Sequence, residues 1–118
     1  INSYSVPGYF MSSAQRARDV IEKINSDRLG IMFDCFHMLH ITGSKEALIN
    51  AFNYLKQDIF HIQFASFPYR NEPNKNSFSY PLLFNSFKEE GYSGYFGAEY
   101  QPSGHTEDTL EWMRDFQV

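Results

Sequence analysis

The chain has one cysteine, Cys35, among its 118 residues. An internal disulfide is therefore excluded, and so is any zinc site built on paired cysteines. A reducing compartment is permitted by the same count. No apolar run approaches the roughly 18 residues that a membrane-spanning helix needs. Positive charge is scarce: 10 Lys and Arg stand against 14 Asp and Glu, a formal net charge of -4, and no basic cluster occurs. A nucleic-acid surface is not expected from that balance, and the lack of a long apolar run leaves no membrane partner expected. The sequence opens on Ile1 without a charged and then apolar leader behind it. It is expected to be a single partial domain, residues 1–118, of something longer, with the cytoplasm as its expected location. Aromatic residues, by contrast, are plentiful at 18% (12 Phe, 8 Tyr and 1 Trp), within an apolar fraction of 42%. That composition supports a packed core.

Turn and cap residues divide the chain regularly. Pro7-Gly8 marks a turn. Ser12 stands three residues before Gln15, a capping-box spacing. Ala14, Ala17, Val20, Ile21 and Ile24 follow at helical period, which predicts a helix over 13–25. Residues 29–33 form a short apolar run that stops at Asp34, as in a strand buried on both faces. Ser44 is the expected N-cap of the next helix, whose stripe is Ala47, Leu48, Ala51, Phe52 and Leu55. A second buried strand is expected over 59–65, interrupted by His61 and Gln63. Residues 66–79 read as a long loop, and loops of that length in compact domains tend to carry function. A helix is predicted over 80–90, with Pro81 in its first turn and Gly91 just past its end. A short strand over 95–98 ends at Glu99, and a last helix is expected over 106–116. Alternating buried strands and amphipathic helices imply a parallel sheet with helical crossovers, an α/β fold.

Asp34, Gln63 and Glu99 share one location, the C-terminal end of a strand, at spacings of 29 and 36 residues. Ligands of parallel α/β folds bind at that edge. Three oxygen-bearing side chains there suit a hard divalent cation such as Mg²⁺ or Mn²⁺. The alternative is that each residue only stops a strand or caps a helix. His37 and His40 follow Asp34 at steps of three, and His61 shares its strand face with Gln63; any of them could line a site or serve as a hydrogen-bonded structural residue. Arg70, in the long loop, could hold a substrate carboxylate bidentately, or form a surface pair of little energetic weight. Cys35 has no base partner nearby in sequence and reads as a small buried filler.

Taken in order, the segments Pro7-Gly8-Tyr9-Phe10, Phe33-Asp34-Cys35-Phe36-His37-Met38, His61-Ile62-Gln63, Arg70-Asn71-Glu72-Pro73 and Gly97-Ala98-Glu99-Tyr100-Gln101-Pro102 resemble hydroxypyruvate isomerase. That family belongs to the xylose-isomerase-like TIM barrels. A barrel of about 250 residues carries eight βα units of roughly 30 each. The resemblance therefore implies the C-terminal half of a (β/α)8 TIM barrel, from the end of strand 5 at Ile1-Asn2 through helix 8. It implies the interconversion of hydroxypyruvate and 2-hydroxy-3-oxopropanoate through an enediol, and a place in glyoxylate metabolism. By motif, Asp34, Gln63 and Glu99 correspond to metal ligands, Glu99 also to a proton-transfer carboxylate, and His37, Arg70 and His61 to substrate-binding residues. A small hydroxy-keto acid is the implied partner. The second proton-transfer carboxylate is expected in a Glu-Pro pair just before Ile1, so the 118 residues alone are expected to be inactive. The sequence departs from the family at Phe36 (usually Tyr), Ser66 (Asp), Asn71 (His) and Gln101 (a basic residue), and in the polar stretch after Pro73, which is usually glycine-rich.

Three other readings compete. A truncated, non-catalytic relative would act as an interaction module and self-associate through exposed half-barrel edges. Another sugar or keto-acid isomerase or epimerase of the same barrel family would share the ligand set. The related abasic-site endonuclease, with its zinc cluster, is disfavoured by four histidines and an acidic balance.

Overall fold

The computed structural model describes residues 1–2, 4–74, 79–114 and 116. Helix α1, Ala14–Ile24, starts at Ser13, whose extended backbone lets its hydroxyl accept the Arg16 N–H at 3.2 Å. The cap is thus one residue later than the Ser12–Gln15 spacing predicts. Gln15 instead donates along the helix to Asp19 Oδ1 at 2.8 Å. Ile1 and Asn2, expected as a strand exit, belong to no strand here; the Asn2 N–H is held by the Met11 carbonyl.

Strand β1, Ile31–Asp34, passes directly into helix α2, Cys35–Thr42, which the sequence pattern did not disclose. The reason is physical. Residues 35 to 39 of α2 are all buried, so the helix shows no polar stripe and no period. Asp34 starts it, and Gly43 ends it with φ +76, a left-handed conformation that costs glycine nothing. Helix α3, Lys45–Leu55, begins at Ser44 as expected, the Ser44 hydroxyl accepting the Ala47 N–H at 3.1 Å. Strand β2, Ile59–Phe64, follows after one turn of 3₁₀-helix, then helix α4, Tyr80–Glu89, with its expected early proline, and strand β3, Phe96–Ala98.

The three strands lie in the order β1-β2-β3, all parallel. Phe33 pairs with Ile62, and Ile62 with Phe96; Asp34 pairs with Gln63, and Gln63 with Gly97. Alternation then assigns the faces. Phe33, Ile62 and Phe64 are buried against the helices. Phe52 stacks on Phe87 at 3.9 Å between ring centroids, both meet Phe33 edge-on, and Phe84 lies against Phe64 and Phe96. Such ring pairs add about 0.5–1.5 kcal/mol each beyond the area they bury. The opposite face carries Met32, His61, Gln63 and Gly97. Met32 is half exposed, so β1 is not buried on both faces as expected.

The last predicted helix is also corrected. Residues 106–114 form two short 3₁₀ turns, Thr106–Thr109 and Glu111–Arg114, in place of one α-helix. Thr109 turns its hydroxyl back to the Thr106 carbonyl at 2.9 Å, a local bond that competes with the helical ladder. Among the described residues, no helix is long and apolar enough to cross a membrane.

Candidate active site

The site lies where β1, β2 and β3 end. Asp34, the last residue of β1, uses its two carboxylate oxygens differently. Oδ1 accepts the N–H groups of Phe36 at 2.9 Å and His37 at 3.4 Å, capping α2. Oδ2 accepts from Arg70 Nη2 at 3.0 Å. One side chain therefore caps α2 with one oxygen and engages Arg70 with the other. The same Nη2 also meets Glu99 Oε2, just beyond β3. Arg70 consequently joins the first strand end to the third. The Asp34 side chain is 5% exposed and that of Glu99 56%, so one carboxylate is fixed and the other is open to an incoming molecule.

Arg70 reaches this position from the loop after β2. Its backbone has φ +62, an uncommon conformation for a side chain of this size. Its N–H bonds the Ser66 carbonyl at 2.9 Å, and its own carbonyl accepts the Gln101 N–H at 2.8 Å. The guanidinium also lies over the Phe36 ring at 4.7 Å. The Arg70–Glu72 surface pair is not what forms: Glu72 accepts from Ser103 instead, which holds its carboxyl below the usual range.

His37 packs beside this group, with Nε2 at 2.9 Å from Arg70 Nη1. Because guanidinium can only donate, Nε2 accepts, and the ring proton sits on Nδ1. Nδ1 is buried and has no hydrogen-bond partner among the described residues. Burial pushes the imidazole pKa down from its ordinary value, against the opposing pull of Asp34. His37 is a neutral acceptor that fixes one edge of Arg70.

Gln63 is the register partner of Asp34 and shares its sheet face. His61, two residues earlier on that face, lies across Gly97, where a Cβ would come within 2.9 Å of Nε2. No hydrogen bond or ion pair joins it to Arg70 among the described residues. His40 takes the structural role: its Nε2 is 3.3 Å from the Pro68 carbonyl, and its ring stacks on Tyr4 at 3.6 Å. Cys35 is fully buried, and burial followed by the charge of Asp34 raises its thiol pKa well above the ordinary value. It is a filler, as expected. The aromatic wall of Phe36, Phe67 and Tyr4 beside the site has no signature in residue spacing, because α2 and the fold of the flanking loops create it.

Among the described residues, no group of three His, Cys, Asp or Glu side chains has the arrangement of a metal centre. The two carboxylates that meet on Arg70, and the Gln63 side chain on the sheet face of Asp34, offer oxygen donors that match a hard cation in kind. The positive charge between the two carboxylates is the Arg70 guanidinium.

Comparison with known proteins bears on the fold and the family. Hydroxypyruvate isomerase of Escherichia coli is 31% identical over 117 residues, covering 99% of this chain and 44% of that protein. The 2-oxo-tetronate isomerase of Haemophilus influenzae is 32% identical over 111 residues, 94% of this chain and 42% of its own length. A crystal structure described as AP endonuclease, family 2, from Brucella melitensis superposes with a TM-score of 0.82 at 31% identity, over 100% of this chain and 45% of that one. The E. coli 3-keto-D-glucoside 4-epimerase shares the fold, with a TM-score of 0.72 at 20% identity, over 91% of this chain and 41% of that one. The chain thus spans less than half the length of these relatives. The fold is that of a partial TIM barrel, and residues 3–116 match the xylose isomerase-like TIM barrel family, to which the chain belongs.

Proposed function

We propose that these residues form one side of the active site of a small-acid isomerase, interconverting hydroxypyruvate and 2-hydroxy-3-oxopropanoate in the native-length protein that carries them. Two carboxylates brought onto one guanidinium at the ends of parallel strands carry this reading. Relatives that act as hydroxypyruvate and 2-oxo-tetronate isomerases support it. The reaction removes a proton from C3 of a hydroxy-keto acid and delivers one to C2, while the hydroxyl proton on O3 gives way to one on O2. A positioned carboxylate does such work if it can reach the carbon. Glu99, exposed and at the strand mouth, is that carboxylate. Arg70, steadied by Asp34 and His37, receives the substrate carboxylate, and Phe36 closes one face of the guanidinium.

Asp34, Gln63 and Glu99 would hold a divalent cation such as Mg²⁺ or Mn²⁺, which when bound supplies Lewis-acid stabilisation to the enediolate oxygens. A further carboxylate, and the βα units that complete the barrel beside the open edges of β1 and β3, belong to the rest of that protein.

Glu99→Gln in the native-length protein tests the assignment. It keeps the shape and removes the base, so kcat for hydroxypyruvate falls by about 10²–10⁴-fold while the thermal midpoint stays within a few degrees. A variant that isomerises at the unmodified rate would refute the role.

A further inference from the structure

We propose that Glu72 is a positioning residue for Arg70, acting through Ser103 to lock the loop after β2 onto the loop after β3. Three consecutive residues on one loop engage the other. The Arg70 carbonyl accepts the Gln101 N–H at 2.8 Å, and Asn71 Nδ2 donates to the Gln101 carbonyl at 3.1 Å. Glu72 then accepts twice from Ser103, Oε2 from the backbone N–H at 3.0 Å and Oε1 from the hydroxyl at 2.5 Å. Hydrogen bonds to an ionised carboxylate are the strong members of such a set.

The clamp matters because of where its two sides lead. Glu99 stands two residues before Gln101, and its carboxylate meets the Arg70 guanidinium. Arg70 is therefore tied to the same loop at both ends, by its carbonyl and by its side chain. Its left-handed backbone is closed from within as well, through Arg70 N–H to the Ser66 carbonyl at 2.9 Å and Ser66 N–H to the Asn71 carbonyl at 3.0 Å. A residue held at φ +62 relaxes when its surroundings no longer fix it. Glu72 touches neither the guanidinium nor Glu99 among the described contacts; it sets the spacing between the loops that carry them.

The kinetic readout of this inference rests on the isomerase reading; the inference itself does not. In the native-length protein, Glu72→Ala raises KM for hydroxypyruvate about 10-fold and leaves kcat within about 3-fold, since binding geometry is lost and the proton-transfer group is not. Ser103→Ala does the same more weakly, and Glu72→Gln, whose amide oxygen still accepts the Ser103 N–H while its NH2 can donate to the hydroxyl oxygen, restores part of the affinity. In an Arg70→Ala background, Glu72→Ala adds no further rise in KM, because the two act as one unit. A second readout needs no turnover: the Arg70 Nε–Hε NMR resonance, assigned by its loss in Arg70→Lys, relaxes as a rigid group in the unmodified protein and gains fast motion in Glu72→Ala. If the protein turns over neither hydroxypyruvate nor 2-oxo-tetronate, the isomerase reading fails and the NMR measurement alone decides the clamp. If Glu72→Ala does not fold, Ser103→Ala carries both readouts. An unchanged KM, additive effects with Arg70→Ala, or a guanidinium that stays rigid would each overturn the proposal.

Discussion

The two faces of the three-stranded sheet are built from alternate residues of the same strands, yet they follow different rules. One face, through Phe33, Ile62 and Phe64, is packed against α3 and α4 by stacked and edge-on rings with almost no exposure. The other carries Met32, His61, Gln63 and Gly97, half open, and leads at its upper rim to Asp34, Glu99 and Arg70. Moving one residue along a strand changes the environment from hydrocarbon to charge. The first face supplies stability. The second holds three charged groups close together, which is tolerable only because each carboxylate has a donor and the guanidinium has acceptors on both of its Nη atoms.

Substitutions on the two faces separate these roles. Phe52→Ala, under the packed face, removes the ring that stacks on Phe87 and meets Phe33; it costs about 3–5 kcal/mol by urea unfolding. The activity of whatever remains folded should be unaltered. Asp34→Ala strikes the other face and should cost about 3 kcal/mol, since Arg70 loses a buried partner and α2 loses its cap. Asp34→Asn retains the cap, so about 1 kcal/mol of that loss returns without restored activity. Equal destabilisation by Ala and Asn would show that capping contributes little. Gly97→Ala has the smallest effect on folding, at most about 1 kcal/mol, because the added Cβ meets only the tip of the His61 ring. It displaces that imidazole across the open face, and substrate affinity reports the displacement; an unchanged KM would place His61 outside the binding surface.

The packed face was largely legible in the sequence. Its strands appear as short apolar runs, and α3 and α4 appear as stripes bounded by Ser44 and by Pro81 and Gly91. Periodicity reports amphipathic elements, so it also explains the failures. Helix α2 is buried along its first five residues and offered no stripe. The end of the chain offered an apparent stripe of Leu110, Trp112, Met113 and Phe116, but threonine side-chain bonding and short 3₁₀ turns took the place of a helix. At the site, the strand-end positions of Asp34, Gln63 and Glu99 could be read from chain order alone. The grouping of Arg70 with both carboxylates could not, because it depends on a left-handed residue and on bonds between two loops roughly 30 residues apart. Sequence spacing carries no information on that closure, although the resemblance to hydroxypyruvate isomerase pointed to Arg70.

Isotope transfer tests the central claim most directly, that carboxylates on the open face move a proton. The native-length protein is to convert hydroxypyruvate in deuterium oxide, with product hydrogen at C2 read by NMR. Proton transfer through Glu99 predicts deuterium from solvent at C2, lost together with turnover in Glu99→Gln. Product whose C2 hydrogen comes wholly from C3 of the substrate, formed equally by both proteins, would contradict the account.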